Sequence, residues 1–424
     1  MNRAFQGYRC TVCQKFYTPQ RDLMTCPSCG GILEVEYDYD LLKEAIDVDY
    51  FKNNPDRSMF RYLPLISVHE PDSKDFLRVG WTPLYRSLNL KKELGLEELY
   101  IKDEGINPSG SLKDRASAIA VLKAKEGKHE VISCSSTGNA ASSLAAQAAR
   151  AGLKTVIFVP KRAPVGKVNQ LLVYGARVIS VDGDYRAAFE LSKRAIETYG
   201  WYDRNAAINP HLVEGKKTVA YEIGEQLAFQ PTDWVAVSVG DGCTLAGIYK
   251  GFHDFAKLGL IDRIPRLLAV QSEGCAPLYE AARNKKPPRP TEENTLADSI
   301  AVGIPRNPIK ALSAVIESNG RWITVTDEAI LKAMKRLGRT EGIFGEPAAT
   351  ATLAGIEKAL EEGIIRPDET VTYVMTGNGL KDPKNADKAV DHPVLMKPSF
   401  SELERYLKDK GDIPDVSSTL WPDL

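Results

Sequence analysis

Residues 234–244 read WVAVSVGDGCT, an apolar run that ends in two glycines, a cysteine and a threonine. The apolar part is typical of a strand that is buried on both faces, as in a parallel sheet. The glycines predict a tight turn, and the following residues, 245–257, predict a helix that begins at that turn. We therefore interpret this stretch as a strand, a turn and a helix.

The same order of strand, turn and helix recurs along most of the chain. Further strands are predicted at 131–133, 155–159, 177–181, 267–270 and 371–375. Helices are predicted between most of them, at 112–126, 140–151, 186–199, 215–228, 244–258 and 347–362. This alternation predicts an α/β fold whose parallel sheets are covered by helices on both faces. Because ligands of such folds bind beyond the carboxyl ends of the strands, we look for a site in the turns after the strands.

The charge balance and the apolar pattern exclude several classes of protein. The chain has 424 residues, enough for two or three domains, and its 55 basic residues almost balance 56 acidic ones. This balance provides no overall field that attracts nucleic acid or an anionic membrane. No stretch approaches the ~20 apolar residues of a membrane-spanning helix, and the first residues lack the apolar core of a signal peptide. We therefore expect a soluble cytoplasmic enzyme with neither nucleic acid nor membrane as a partner.

The cysteines concentrate near the start of the chain. Four of the seven form two Cys-x-x-Cys pairs: Cys10, Cys13, Cys26 and Cys29. This spacing predicts a tetrahedral four-cysteine zinc site, which is structural because no coordination position stays open. Redox dithiols or unmetallated cysteines are the alternative. We interpret residues 1–40 as a zinc-ribbon-like segment, and with only Lys15 and Arg21 basic between the outer cysteines it has no basic face for nucleic acid.

Residues 107–115 read NPSGSLKDR, in which the proline and the glycine predict a turn. Ser111 and Asp114 have the spacing of a capping box, which predicts that a helix begins here. Lys113 would then lie in the first helical turn, where the helix dipole lowers its pKa and favours a nucleophilic amine that forms Schiff bases. The alternative is an ordinary solvated lysine on a helix surface.

Residues 135–139, which read SSTGN, follow the strand predicted to end near Cys134. The hydroxyl and amide groups of Ser136, Thr137 and Asn139, with the N–H groups of the next helix, suit a carboxylate or a ring oxygen as ligand. An ordinary helix cap explains the same residue types equally well.

The glycine-containing loop after the first-quoted strand predicts an anion site. Glycines let the backbone approach a phosphate, and the following helix supplies N–H donors. The residues concerned are Gly240, Asp241, Gly242, Cys243 and Thr244. The loop has neither P-loop nor Rossmann spacing. If it binds a phosphate, the Asp241 carboxylate must point away from that phosphate. The alternative is a tight structural turn without a ligand.

Residues 376–382 read TGNGLKD and follow the last predicted strand. Thr376 at the end of that strand is suited to a hydrogen bond with a heterocyclic nitrogen. The alternative is a glycine-rich turn whose hydroxyl makes a local backbone bond.

Two classes of hydrolase have no support in the sequence. The five histidines form no His-Glu-x-x-His pair, and the chain contains no Gly-x-Ser-x-Gly motif. Neither zinc-dependent hydrolysis nor serine-triad chemistry is therefore indicated by the motifs of this chain.

Taken together and in this order, the motifs resemble the fold-type II enzymes that use pyridoxal 5'-phosphate, and among them the threonine synthases most closely. Segments 295–303 and 345–348 are also similar to threonine synthase segments. The resemblance implies that Lys113 is the Schiff-base lysine, that Asn139 reaches the cofactor's 3'-oxygen, and that Gly240–Thr244 binds its phosphate. It further implies that Thr376 faces the pyridine nitrogen, that the chain forms a homodimer, and that substrate contacts come from Ser136, Thr137, Asn209 and Lys217.

The resemblance also implies a reaction. Threonine synthases act on O-phospho-L-homoserine, from which phosphate leaves Cγ before water adds at Cβ. The chain departs from the family at Leu212, where an arginine is usual, and at Lys216, where a glutamine is usual. A related β-replacement or β-elimination enzyme is therefore the alternative, acting on O-phosphoserine (cysteate synthase-like) or on threonine or serine (an ammonia-lyase). A third hypothesis is a zinc-ribbon binding module with a degenerate catalytic domain, against which the intact Lys113 and Asn139 argue.

The expected architecture is two parallel-sheet α/β domains and the N-terminal ribbon, with the cofactor between the domains. Residues 41–125 and 210–395 are predicted to form the large catalytic domain, and 126–209 the small one. Residues 396–424 are interpreted as a C-terminal extension with a helix at 401–409.

Overall fold

The computed structural model describes residues 3–69, 71, 76–163 and 165–412. The strands, numbered along the chain, are β1 Phe5–Cys10, β2 Phe16–Tyr17, β3 Leu33–Tyr37, β4 Leu84–Arg86, β5 Glu98–Asp103, β6 Val131–Ser135, β7 Lys154–Pro160, β8 Arg177–Val181, β9 Tyr202–Asp203, β10 Trp234–Ser238, β11 Arg266–Ser272, β12 Arg321–Val325 and β13 Thr370–Met375. The helices are α1 Tyr39–Ala45, α2 Val48–Asn53, α3 Leu90–Leu94, α4 Lys113–Glu126, α5 Asn139–Arg150, α6 Val165–Val173, α7 Tyr185–Tyr199, α8 His211–Gln226, α9 Cys243–Lys257, α10 Pro277–Asn284, α11 Pro308–Glu317, α12 Asp327–Glu341, α13 Pro347–Glu361, α14 Pro383–Ala386 and α15 Phe400–Lys410.

The described residues form three sheets. The N-terminal segment is antiparallel, in the order β2-β1-β3. A six-stranded sheet has the order β12-β11-β10-β13-β5-β4, in which only β4 is antiparallel to its neighbour. A four-stranded parallel sheet has the order β8-β7-β6-β9 and falls between residues 131 and 203. The predicted fold class is confirmed, whereas the exact domain boundaries remain a prediction.

One predicted helix start is wrong. The helix expected at 215–228 begins at His211, four residues earlier, and ends at Gln226. Pro210 precedes this first turn with φ −64°, a value that suits a helix start and requires no N–H donor. The consequence for the site is that Leu212 and Lys216 lie on one helix, a single turn apart.

The surroundings of β10 explain the apolar residues at 234–237. Val235 and Val237 belong to the core to which α8 and α9 contribute. Trp234 and Ala236 belong to the core on the other face, to which α12 and α13 contribute. Because side chains alternate across a strand, helices on both faces favour apolar residues at successive positions, as at 234–237 of β10.

A fully buried network of four charges holds α4 against α8 and β5. Arg115 contacts Glu104 at 2.6 Å and Glu222 at 2.5 Å, and Lys102 contacts Glu222 at 2.7 Å. Two cations balance two carboxylates, so the network satisfies the condition under which buried charges are tolerated. It fixes the start of α4, whose first residue is Lys113.

The carboxyl ends of three strands meet where a ligand is expected. β6, β10 and β13 are followed by the turns that contain Asn139, Gly240–Thr244 and Thr376. The turn before α4 is joined to the last of these, since the Leu112 N–H donates to the Thr376 carbonyl at 2.9 Å. Lys113 is thereby brought to the same place.

The C-terminal extension contributes α15, close to the predicted helix at 401–409. The Ser399 side chain caps it by accepting from the Glu402 N–H. Residues 413–424 of that extension lie outside the described residues. Within the described ranges, every helix is too short or too polar to cross a membrane.

Candidate active site

Lys113 is the first residue of α4, and its amine lines a small inner cavity. Its pKa is lowered to about 8, first because burial disfavours the charged form and then because the positive charge of Lys216 is close. The expected lowering is present, although burial is its main cause. At pH 7 roughly a tenth of an amine with this pKa is uncharged and therefore nucleophilic, far more than for an ordinary lysine.

The predicted capping box is wrong. Leu112 occupies the N-cap position of α4, and the Ser111 hydroxyl has no hydrogen-bond partner among the described residues. The Asp114 carboxylate instead accepts from the N–H and the hydroxyl of Ser109, at 2.9 and 2.7 Å. These bonds stabilise the turn before the helix, so Asp114 still fixes the position of Lys113 by a different contact.

Asn139 begins α5 and is bonded to a buried carboxylate. Its amide donates to both oxygens of Glu346, at 2.9 and 3.0 Å, and to the Ser299 hydroxyl at 3.3 Å. Glu346 is itself held by its N–H, which donates to the Gly377 carbonyl. Burial raises the pKa of Glu346, whereas Asn139 and Lys113 act in the opposite direction.

Glu346 was not among the predicted site residues. The segment that contains it, 345–348, carries the sequence signal, which is a glutamate directly before the proline that opens α13. Charge alone would assign such a glutamate to a solvated helix start. Only the tertiary structure shows that its side chain faces Asn139 and lines the inner cavity.

The glycine loop has the geometry of an anion site. Gly242 has φ +88°, and a Cβ there would lie 2.6 Å from the Ala311 Cβ and 2.9 Å from the Asn307 carbonyl oxygen. No side chain caps α9, and within the described residues nothing accepts from the N–H groups of Cys243 and Thr244. The amino end of α9 is therefore open to a ligand.

Asp241 does not oppose an anion in this loop. Its Oδ1 accepts from the Arg306 N–H at 3.1 Å, and its carbonyl accepts from the Asn307 N–H at 3.1 Å. The carboxylate is thus bonded to the adjoining segment, as the phosphate prediction requires.

The inner cavity, about 80 Å³ in volume, opens into a larger outer one of about 740 Å³. The two share four lining residues, so they form one cleft: Asn139, Ser299, Glu346 and Ala348. Predicted residues of the inner cavity are Lys113, Asn139, Gly240, Asp241, Gly242, Cys243, Thr244 and Thr376. Thr137 lines the outer cavity, together with Lys167 and Lys381.

Three predicted substrate contacts lie elsewhere. The Asn209 amide donates to the Tyr202 hydroxyl and the Asp203 carbonyl. Lys217 is bonded to Glu214 at 2.7 Å and to Asp254 at 2.9 Å, a buried cluster away from the cavity lining. Ser136 also does not line either cavity, and its hydroxyl accepts from the N–H of Gly138, two residues on. Buried polar partners explain the positions of Asn209 and Lys217, whereas Ser136 is held by a bond within its own turn.

The cysteines form a compact sulfur cluster. All four sulfur atoms lie within 4.8 Å of one another: Cys10, Cys13, Cys26 and Cys29. The closest pairs, Cys10–Cys29 and Cys13–Cys26, are 3.5 Å apart. Tetrahedral zinc with Zn–S bonds of about 2.3 Å requires sulfurs about 3.8 Å apart, so the donor set fits that metal.

Comparison with known proteins identifies the family to which these features belong. The family model described as "Pyridoxal-phosphate dependent enzyme" matches residues 76–377. The chain belongs to this family. The match extends from the loop before β4 to the turn after β13, so it includes every predicted cofactor-binding residue.

Curated relatives match over most of their length. The threonine synthase of Methanocaldococcus jannaschii is 41% identical over 404 residues, which is 95% of this chain and 99% of the relative. The threonine synthase of Bacillus sp. (strain ULM1) is 40% identical over 350 residues, or 82% and 96% of the two chains. The resemblance derived from the motifs is confirmed.

Solved structures agree with the fold. Threonine deaminase isoform 2 from Solanum lycopersicum has a TM-score of 0.63 at 20% identity, covering 78% of this chain and 83% of that one. Diaminopropionate ammonia lyase from Escherichia coli has a TM-score of 0.64 at 18% identity, covering 81% and 96%. At such identities the likeness shows the fold alone.

The cleft fits the cofactor of this pyridoxal-phosphate family. A phosphate suits the open amino end of α9, and a reactive lysine with a lowered pKa shares the same cavity. The Thr376 hydroxyl lines that cavity and has no hydrogen-bond partner in the described part of the chain. The cavity thus combines three groups that suit this cofactor. They are N–H donors for its phosphate, an amine for its aldehyde and a hydroxyl for its ring nitrogen.

Proposed function

We propose that this protein is a pyridoxal phosphate-dependent lyase that converts O-phospho-L-homoserine and water to L-threonine and phosphate. Threonine synthases with 37–41% identity over most of the chain support this reaction. The proposal depends on one observation. In a chain related to threonine synthases, one cavity is lined by Lys113, the glycine loop and Thr376.

The residues of the inner cavity are proposed to hold the cofactor. Lys113 links it covalently, the N–H groups of Cys243 and Thr244 bind its phosphate, and Thr376 bonds its ring nitrogen. When bound, pyridoxal phosphate withdraws electrons from the substrate's α carbon and thereby stabilises a carbanion there. In this proposal a neutral hydroxyl faces the ring nitrogen and, unlike a carboxylate at that position, would not favour its protonation.

Lys113 also supplies the proton transfers in this proposal. Elimination of phosphate and addition of water require a proton to leave and return at Cα, a proton to leave Cβ, and a proton to be delivered at Cγ, while the water that adds at Cβ loses a proton. An amine whose pKa is about 8 exchanges protons readily at neutral pH. Glu346 lies close enough for its charge to act on Lys113, so it favours the protonated amine when ionised.

Two polar contacts are suited to closing the outer cavity over a substrate. Lys167 of α6 forms an ion pair with Asp298, which precedes Ser299 in the cavity lining. Lys381 donates to the Ser142 hydroxyl at 2.8 Å and to the Gln170 amide oxygen at 3.0 Å. Both contacts join helices beside the four-stranded sheet to loops of the six-stranded one. We propose that they exclude water from the reacting carbons.

One observation favours a second candidate function. Leu212, at the position where the family usually has arginine, is fully buried in the apolar core. A phosphate-binding arginine at this position is therefore absent, which leaves open an enzyme that eliminates or replaces at Cβ of O-phosphoserine, threonine or serine. A degenerate, non-catalytic domain has no such support, because the amine, the loop and Asn139 line one cavity.

The deciding experiment incubates the cofactor-loaded protein with O-phospho-L-homoserine and quantifies threonine and phosphate. We expect equimolar products, and a loss of ~10²-fold or more in the Lys113→Ala variant. Lys154→Ala, which removes a lysine that is 75% exposed, is the matched control and should retain the rate. Phosphate with 2-oxobutyrate and little threonine would contradict the proposal, as would turnover of O-phosphoserine alone.

We further propose that the cysteine cluster binds structural zinc. The sulfur geometry supports it, as do the Val12 and Cys13 N–H groups, which donate to the Cys10 sulfur at 3.4 and 3.5 Å. We expect one zinc per chain by elemental analysis, and loss of that zinc in Cys13→Ser without loss of the visible absorbance of the bound cofactor. A metal-free purified wild-type protein would contradict this site.

A homodimer and a cytoplasmic location complete the proposal. Both derive from the resemblance, and the seven cysteines without a disulfide agree with a reducing compartment. Light scattering of the purified protein tests the first, and a mass of one chain would contradict it. Fractionation of the source cells tests the second.

A further inference from the structure

Lys216 is a buried lysine without a hydrogen-bond or ion-pair partner among the described residues. Its side chain lines the inner cavity and the residue is 2% exposed, yet no described residue accepts a hydrogen bond from its ammonium or lies within ion-pair distance of it. The next residue is different: Lys217 is equally buried and contacts both Glu214 and Asp254. Because a buried charge is costly unless it is paired, a bound anion would stabilise the protonated form of Lys216, and none of the described residues supplies one within ion-pair distance.

The packing of α8 against α9 places Lys216 beside the open helix end. A Cβ on Gly247 would lie 2.9 Å from the Lys216 Cβ, so only glycine permits this approach. Lys216 consequently lines the same cavity as Cys243 and Thr244, whose N–H groups have no described acceptor. Two independent kinds of donor therefore share one small cavity.

A second buried cation, for which the described residues provide no ion-pair partner, acts on the same cavity. Arg204 is 1% exposed, and within the described ranges its guanidinium donates only to the Ser117 hydroxyl, at 3.1 and 3.2 Å. Its charge adds to burial in lowering the pKa of Lys216, and both cations lower the pKa of Lys113. The charges of Lys216 and Arg204 together favour a ligand with more than one negative charge, such as a phosphate dianion.

We propose that Lys216 binds a phosphate group in the inner cavity, against the amino end of α9. Two sources offer this chemistry, namely the 5'-phosphate of pyridoxal phosphate and the phosphate carried by the substrate and released as product. The second source rests on the proposed function, whereas the first rests only on the family. In either case the charge absent at Leu212 is supplied one helical turn later by Lys216.

The test compares wild type with Lys216→Gln, which removes the charge and keeps a similar length. Apoprotein is titrated with pyridoxal 5'-phosphate and, separately, with pyridoxal, and binding is followed by absorbance. Holoenzyme is then titrated with inorganic phosphate, and binding is followed by the change in cofactor fluorescence. Lys257→Gln, at the exposed end of α9, is the control for net charge.

Two results support the proposal and identify the source. Weakening of pyridoxal phosphate binding by about tenfold to a hundredfold, with pyridoxal unchanged, assigns Lys216 to the cofactor. Weakening of inorganic phosphate binding to the holoenzyme by a similar factor, with both cofactor affinities unchanged, assigns it to substrate and product. Unchanged affinities for all three ligands would overturn the proposal. None of these titrations requires turnover, so failure of threonine formation would leave them interpretable.

A measurement on the wild-type chain covers the case in which the glutamine variant does not fold. Apoprotein is treated with an acylating reagent, and modification at Lys216 and Lys257 is followed by mass spectrometry. Two ligands are tested: pyridoxal phosphate attached to Lys113 by reduction, and free inorganic phosphate. At least one of them is expected to slow modification of Lys216 at least tenfold and to leave Lys257 unaffected. Equal rates with and without both ligands would overturn the proposal.

Discussion

Replacing Glu222 by glutamine is expected to destabilise the protein far more than a neutral substitution of similar shape normally does. The carboxylate is fully buried and accepts from Arg115 at 2.5 and 2.8 Å and from Lys102 at 2.7 Å. Its removal leaves two cations against the single carboxylate of Glu104, in a part of the core that water does not reach.

The pKa of Glu222 gives the magnitude. Burial would raise this pKa, but Arg115 and Lys102 outweigh burial and lower it from 4.5 to about 2. One pKa unit corresponds to about 1.4 kcal/mol, so ionisation of Glu222 contributes about 3 kcal/mol to stability at neutral pH. Breaking a buried ion pair typically costs about 3–5 kcal/mol, which is consistent. At about 2.1 cal/mol/K of unfolding entropy per residue, that loss lowers the Tm by roughly 3–6 °C.

The assay is thermal unfolding followed by circular dichroism, with Glu130→Gln as the matched control. Glu130 is 84% exposed and pairs with Lys154 at 3.5 Å, so its loss should cost about 1 kcal/mol or less. A carboxylate whose pKa is lower in the folded than in the unfolded state stabilises the fold at pH values above its unfolded-state pKa. This contribution is lost as the pH falls through the folded-state pKa. The Tm difference between wild type and Glu222→Gln should therefore be full at pH 7 and shrink below about pH 4.5. Equal Tm values for the two variants would refute the reasoning.

Two further predictions concern the cleft. The rate constant for covalent linkage of pyridoxal phosphate to apoprotein should rise about tenfold per pH unit and level off above about pH 8, because only the uncharged Lys113 amine reacts. The linkage is followed by absorbance. A rate constant that stays the same between about pH 6 and 8 would contradict this pKa. Gly242→Ala should weaken cofactor binding at least tenfold, because the new Cβ would approach Ala311 to 2.6 Å at φ +88°. Gly259→Ala is the control for backbone strain alone, since Gly259 also has a positive φ but lies in open space, and this variant should bind the cofactor normally.

The predicted elements came from local patterns that the tertiary structure preserved. An apolar run such as Trp234–Ser238 is a strand because both of its faces meet helices, and the glycines that follow break it. The loop at Gly240–Thr244 and the turn at Thr376 were found because ligand sites of parallel sheets follow strand ends. Reaction and cofactor came instead from the resemblance, since no single motif distinguished a ligand site from an ordinary turn.

Asn209 and Lys217 do not line either cavity, for one physical reason. Asn209 and Lys217 lie next to a motif in sequence, but their side chains point to Tyr202 and Asp254 in the core. The helix containing Lys217 turns successive side chains by about 100°, so Lys216 and Lys217 face different surroundings. A sequence motif names both residues, and only helix packing decides which one reaches the cavity.

The sequence by itself determined the α/β class, the order of the elements and the two cysteine pairs, because these depend on periodicity, spacing and local chemistry, while the role proposed for Lys113 came from the resemblance. Tertiary structure alone decided that Glu346 bonds Asn139, that Asp241 turns toward Arg306, and that Lys216 is buried without a partner among the described residues. Each of these depends on contacts between residues that are distant in sequence. Burial and the nearest charge then determine what such a residue does, and neither quantity can be read from its neighbours along the chain.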